Sequence, residues 1–271
     1  MLLLYHTDMA VCAAKVRITL AEKKLHWTGR HIDLAAGEQF SPDYLALNPN
    51  GVVPTLVHDG LVIRDSTVIG EYLDDMFPDR PLRPSHPHER ASMRYWTKQE
   101  DDIHQVVNTF MTAIAFRAVE RRKSDAARRE RSAKISDPIR RERWESLIAE
   151  GLQSVFAGVA FNRLARLLAE METSLQAFPW LGTRQFSLSD VGYIPYFNAL
   201  SMLQLAPLWN GRFPAVTKWF ARAEARASFA EGVLGWLPAE RAEGLRKAGL
   251  GEAGSARVLF DQAMALNARA S

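Results

Sequence analysis

Asn48-Pro-Asn-Gly-Val-Val-Pro54-Thr-Leu-Val57 is followed, after a short turn and a second apolar run, by Arg64-Asp65-Ser66-Thr67 opening a helical pattern. Pro54 heads a strand-like run, a place where a missing N–H is tolerated. A cis bond between Val53 and Pro54 would turn the Val53 backbone outward. Its N–H and C=O could then pair with an extended peptide, as an added strand does. Asp65 and Ser66 precede the apolar positions Val68, Ile69, Tyr72 and Leu73. Backbone N–H groups and a serine hydroxyl at a helix N-terminus favour a carboxylate, and Asp65 can pair with an ammonium group. A peptide-like ligand with both charges at one end would suit the pair. The other use of the same two residues is a plain helix cap.

Two further side chains bear chemistry. Cys12 stands at the start of a helical pattern, where the helix dipole favours a thiolate; the alternative is a small buried cysteine. Tyr5 lies in the apolar run Leu2–His6 and offers a phenol or a core aromatic. Cys12 is the only cysteine, so an intramolecular disulfide and a cysteine-rich metal site are excluded. The histidines, including His86-Pro-His88, show no metal-ligand spacing, and no metal is expected.

The elements that must position these residues follow from the pattern. Leu2–His6 reads as a strand, Ala13–Lys24 as a helix, and His31–Leu34 as a second strand after a turn near Gly29. A β-α-β opening favours a parallel pair. Residues 35–50 are polar and turn-rich. Val53–Val57 and Leu61–Arg64 read as a hairpin around His58-Asp59-Gly60, and Ser66–Met76 as a helix stopped by Phe77-Pro78. Arg80–Pro87 holds three prolines and reads as a linker. Beyond it only helical periodicity appears, over residues 89–122, 140–176, 188–205 and 214–226, with a helical tail from Glu231. That tail is expected to pack over the cleft of the site.

The chain has 271 residues, 47% hydrophobic and 24% charged, with a formal net charge of +3. This is the profile of a globular protein with one or two domains. The mild basicity gives no reason to expect a nucleic-acid or membrane partner. Residues 117–143 do concentrate cations, from Arg117 to Arg143, but without interleaved aromatics a solvated excursion is the expectation. No run is long enough to span a bilayer, and the N-terminus lacks a signal-peptide pattern. A soluble, reducing, cytoplasmic setting is expected.

The spacing from Gly37 through Ser41-Pro42, Asn48-Pro and Val53-Pro54 to Asp65-Ser-Thr-Val-Ile-Gly-Glu-Tyr-Leu73 resembles the soluble glutathione transferases. Phe186-Ser187-Leu-Ser-Asp190 before an apolar helix resembles their capping box in the second domain. The resemblance covers about residues 1–230. Within the family, His58-Asp-Gly, Asp65–Pro78, Leu82-Arg-Pro84 and Arg90–Lys98 are similar to the bacterial glutathione-dependent β-etherases.

The resemblance implies an α+β thioredoxin-like N-terminal domain (βαβ-ββα) at residues 1–80, a linker at 81–88 and an all-α substrate-binding domain at 89–271. It implies glutathione as co-substrate and a small hydrophobic or aromatic electrophile. Val53 and the cis-proline Pro54 would meet the cysteinyl part of glutathione, Asp65 and Ser66 the γ-glutamyl group, and Gln39 the glycyl end. Phe40 and Val52 replace polar residues common at that end. The position where serine-type classes carry the activating hydroxyl is Ala10. That leaves Cys12 and Tyr5 as catalytic candidates, Thr7 as a third, or backbone donors between Met9 and Cys12. A Cys12-dependent thiol transferase and a non-catalytic glutathione-binding module are the alternative functions. A homodimer is implied by the resemblance alone.

Overall fold

The computed structural model describes residues 1–135 and 137–270; Ser136, in the break expected before Pro138, and Ser271 lie outside the described residues. Four strands, β1 (Leu2–His6), β2 (Thr28–His31), β3 (Thr55–His58) and β4 (Leu61–Arg64), form one sheet in the order β2-β1-β3-β4. β1 and β2 are parallel, with Tyr5 opposite Arg30; β1 and β3 are antiparallel, with Tyr5 opposite Thr55. Asp59 and Gly60 both take positive φ in the β3–β4 turn, the geometry that matches strand twist in a tight hairpin.

Three helices complete this part: α1 (Val11–Lys23), α2 (Pro42–Leu47) and α3 (Ser66–Met76). Leu2 and Leu4 of β1 pack with Val16, Leu20, Leu56, Ile63, Ile69 and Leu73 in one apolar cluster. Each such side chain contributes roughly 1.5–3 kcal/mol on burial. The remaining helices are α4 (Pro87–Lys98), α5 (Glu100–Phe110), α6 (Arg117–Glu120), α7 (Asp125–Ala133), α8 (Pro138–Glu150), α9 (Val155–Ala177), α10 (Leu188–Met202), α11 (Pro214–Glu224), α12 (Ala227–Gly232) and α13 (Ala239–Ala270). A π-helical turn, Met111–Phe116, joins α5 to α6. No helix among the described residues is long and apolar enough to cross a membrane.

The order of elements is the one the sequence predicts, with shifts in two strands, of which β3 begins at Thr55 instead of Val53. The second strand ends at His31 instead of running from His31 to Leu34. Asp33 stops it: its Oδ1 accepts from the N–H groups of Ala35 and Ala36, an Asx turn that competes with the ladder. Gly29 belongs to the strand, where a Cβ would meet His6 Nε2 at 2.7 Å.

Two compact units emerge. One comprises residues 1–98, 175–195 and 218–238; the other comprises 99–174, 196–217 and the chain from 239 onward. In the first, the buried pair Lys23–Asp74 (2.7 Å) also takes the Arg80 carbonyl and the Leu82 N–H, fastening the linker. The capping box before α10 forms in part: Ser187 N–H donates to Asp190 Oδ2 at 2.9 Å, while the Ser187 hydroxyl turns to Ser189. Asp190 Oδ1 also accepts from Leu181 N–H and Trp219 Nε1. Burial pushes the Asp190 carboxyl up to about 6. In the second unit α13 packs on the π-helical turn and buries Ala256 and Phe260.

Candidate functional site

The Val53–Pro54 peptide bond is cis. Buried Tyr44 and Asn48 set the loop that carries it. The Tyr44 hydroxyl donates to the Val52 carbonyl at 2.7 Å, and Asn48 Nδ2 donates to the same oxygen at 2.9 Å. Both also reach Thr55 Oγ1 at 3.0 Å. With the preceding carbonyl tied down twice, the Val53 backbone is left over. Among the described residues nothing takes up its N–H or C=O. Strand β3 begins only at Thr55.

Asp65 takes φ 70° and ψ 130°, a conformation costing about 1–3 kcal/mol for a residue with a Cβ. Its Oδ1 caps α3, accepting from Thr67 N–H at 2.9 Å and Val68 N–H at 3.1 Å. Helix capping is thus one use of Asp65, yet it occupies a single carboxylate oxygen. Ser66 is buried in the first turn of α3, beside that cap. Gln39 sits in a 3₁₀ turn, Glu38–Phe40, with its Oε1 buried and unpartnered. Its Nε2 donates to the Leu34 carbonyl at 3.5 Å, so the oxygen alone goes unsatisfied, at a cost of about 1–3 kcal/mol. Phe40 and Val52 are 63% and 53% exposed, so neither serves the core.

The thiol-activating candidates separate by sheet face. Tyr5 alternates out of the Leu2–Leu4 face, and its ring packs on Tyr44 of α2 with centroids 5.7 Å apart. Cys12 is half-buried in the first turn of α1. No side chain caps α1, because its N-cap is Ala10. Thr7 is buried, and its hydroxyl is engaged with His31 Nε2 at 3.2 Å. Met9, between them, has φ 52°.

Behind this loop lies His6, in an edge contact with Trp236 (4.6 Å) and within 3.4 Å of Arg17. Burial, then the Arg17 charge, lowers the His6 imidazole to about 4, so the ring is neutral at ordinary pH. Neither Arg17 nor Trp236 stands out in the sequence. A buried arginine in a helix looks like a solvated one until its distant partners are known.

The N-terminal sequence matches the family model "Glutathione S-transferase, N-terminal domain" over residues 11–76, and residues 157–227 match "Glutathione S-transferase, C-terminal domain". Protein LigF of Sphingobium sp. strain SYK-6 is 31% identical over 238 residues, 84% of this chain and 91% of that protein. The chain belongs to the glutathione S-transferase family. The crystal structure of β-etherase LigF superimposes with a TM-score of 0.72, covering 85% of this chain and 98% of that one at 30% identity. A Populus trichocarpa glutathione transferase superimposes with a TM-score of 0.66 at 26% identity, covering 90% of this transferase and 99% of its own chain. Glutathione S-transferase 1 of Dianthus caryophyllus is 44% identical over 88 residues, 32% of this chain and 40% of its own length.

Most cations of the transferase's basic excursion are exposed, as in a solvated segment, and Arg117, Arg128, Arg141 and Arg143 are half-buried. Buried Glu120 faces Lys123 and Arg131, while Arg128 bonds the Glu120 and Lys123 carbonyls and Asp125. Arg117 reaches the Ile148 and Ala149 carbonyls, Arg141 the Ile135 carbonyl, and Arg143 the Gln105 side chain. Arg117 and Arg128 in this way close the C-terminal ends of α8 and α6. Among the described residues no group of three or more ligand-type side chains is placed to hold a metal.

Proposed function

We propose that this transferase joins the glutathione thiolate to a small hydrophobic or aromatic electrophile, with a β-aryl ether as the first substrate class to test. The reading is carried by the unpaired Val53 N–H and C=O beside the cis Pro54 bond. They form one residue of strand edge, offered to an extended peptide. The second Asp65 oxygen takes the γ-glutamyl ammonium, and Ser66 with the first turn of α3 takes its carboxylate. Gln39 serves the glycyl end. The sulfur then lies toward the uncapped N-terminus of α1, where Cys12 and Tyr5 are the side chains to test.

In the reaction, the sulfur forms a bond to an electrophilic carbon as that carbon loses its leaving group. For an aryl ether the leaving group is an aryloxide, which takes a proton from solvent. Proximity supplies much of the acceleration, and lowering the thiol pKa supplies the nucleophile. Likeness to a protein described as a β-etherase supports the aromatic ether. Residues 1–80 form the glutathione-binding domain in this reading, and 89–271 the domain that selects the electrophile. The protein works in the cytoplasm as a homodimer, without metal, nucleic acid or membrane.

A second reading is favoured by Cys12 in the first turn of the uncapped helix α1. There its thiolate attacks a glutathione mixed disulfide, forming a protein–glutathione disulfide and releasing the other thiol. A second glutathione then attacks the glutathione sulfur of that disulfide, forming oxidised glutathione and expelling the Cys12 thiolate.

Calorimetry with glutathione, followed by turnover of an activated aryl halide, an aryl-ether ketone and a glutathione mixed disulfide, tests both readings. Transferase chemistry predicts binding, and turnover that survives Cys12→Ser. Activity confined to mixed disulfides and abolished by Cys12→Ser establishes the second reading. Binding without any turnover leaves a glutathione-binding module, and no binding overturns all three.

A further inference from the structure

Arg17 is buried in the first unit at 2% exposure, yet among the described residues no carboxylate hydrogen-bonds its guanidinium, and Asp8 of the neighbouring loop acts on it through charge alone. Its partners are neutral. Nε donates to the Gly232 carbonyl at 2.9 Å, and one terminal nitrogen donates to the Thr7 carbonyl at 3.2 Å. The plane lies over the Trp236 ring, 5.0 Å from its centroid. Burial lowers this guanidinium to about 10. A buried cation whose counter-charge, Asp8, lies outside hydrogen-bonding reach still costs several kcal/mol, so its contacts must supply something a leucine would not.

Those contacts converge on one short loop. Trp236 accepts from the Met9 N–H through its carbonyl at 3.2 Å, and its ring meets the edge of His6. Arg17 holds the next carbonyl along, that of Thr7. Residues 6, 7 and 9 are therefore gripped from residues 232–236, directly or through Arg17. The gripped stretch includes Met9 in its left-handed conformation and ends at Ala10, the N-cap of α1. A left-handed non-glycine residue persists only where its surroundings fix it. None of these contacts touches Val53, Asp65, Ser66 or Gln39.

We propose that Arg17 and Trp236 are positioning residues: segment 232–236 is a strap that fixes the loop Thr7–Ala10, and with it the donors that hold glutathione as a thiolate. The inference rests on the glutathione reading above and adds the group that controls thiol ionisation. It separates two properties. Glutathione affinity resides at Val53, Asp65 and Ser66, whereas thiol ionisation depends on the strap.

The test uses the full chain as wild type, Trp236→Leu, Arg17→Met and Arg17→Lys. Each is measured for thermal stability, glutathione affinity, titration of the bound thiol by thiolate absorbance, and kcat and KM with an activated aryl halide. Trp236→Leu is expected to bind glutathione within about twofold of wild type. Its bound thiol should titrate about one pH unit higher, with kcat at neutral pH lowered about tenfold. Arg17→Met should go further, and Arg17→Lys should recover part of the loss. If Arg17→Met fails to fold, Trp236→Leu decides the matter alone. A wild type that binds glutathione with a depressed thiol pKa, unchanged in Trp236→Leu, overturns the strap and leaves the functional reading standing. So does a rise in KM with kcat unchanged. A wild type that binds no glutathione overturns both.

Discussion

At the scale of single residues, Asp65 combines two tasks that a substitution can divide. One carboxylate oxygen caps α3 through Thr67 and Val68, and in the proposed function the other meets an ammonium group. Asparagine caps a helix about as well as aspartate and tolerates positive φ, but carries no charge. Asp65→Asn is therefore expected to leave the melting temperature nearly unchanged while weakening glutathione binding about tenfold or more, read by calorimetry. Equal loss of stability and affinity would show that Asp65 only caps. The cis Val53–Pro54 bond and the Asp65 cap were legible because local spacing carries them. The sequence assigned no task to Tyr44 or Asn48, although both lie within the Gly37–Leu73 spacing. Their task is to hold the Val52 carbonyl and Thr55, and that becomes visible only when the loop folds back on itself.

Secondary-structure elements were legible where one period dominates, as in α3 and the β3–β4 hairpin. They were less so where a side chain competes with the backbone, as Asp33 does at the end of β2. The segment after α12 shows a different limit. Its helical tail could be read from the sequence, but not that Trp236 would lie against His6, since nothing local encodes a contact across most of the chain. What permits that approach is Gly232. A Cβ there would lie 2.8 Å from both the backbone nitrogen and Cγ1 of Ile18, so α12 rests directly on the backbone of α1. Overpacking of this kind costs about 1–3 kcal/mol. Gly232→Ala is expected to lower stability by that amount in urea unfolding and to displace the carbonyl that Arg17 holds. A silent substitution would mean that α12 can slide along α1 without consequence.

For the whole molecule, two buried groups set opposing pH dependences, and neither follows from composition. His6 is lowered from 6.5 to about 4 in the folded chain. The fold thus favours its neutral form, giving stability that is complete above 6.5 and lost as pH falls toward 4. Asp190 is raised from 3.8 to about 6. The fold favours its protonated form, so its ionisation costs stability in full above 6, and that cost is relieved as pH falls toward 3.8. Each shift of roughly two pH units corresponds to about 3 kcal/mol. Between pH 6 and 4 the two contributions run against each other and largely cancel. Replacing one exposes the other. His6→Gln is expected to gain stability relative to wild type as pH drops from 6 to 4, whatever its stability at pH 7. Asp190→Asn is expected to lose stability over the same interval. The slope of unfolding free energy against pH is the quantity to compare, because Asp190→Asn also disturbs the hydrogen bonds to Leu181, Ser187 and Trp219 and so lowers the whole curve. Parallel curves for wild type and His6→Gln would mean that His6 titrates alike in the folded and unfolded chain. The packing of Arg17 and Trp236 around a neutral imidazole would then need another explanation.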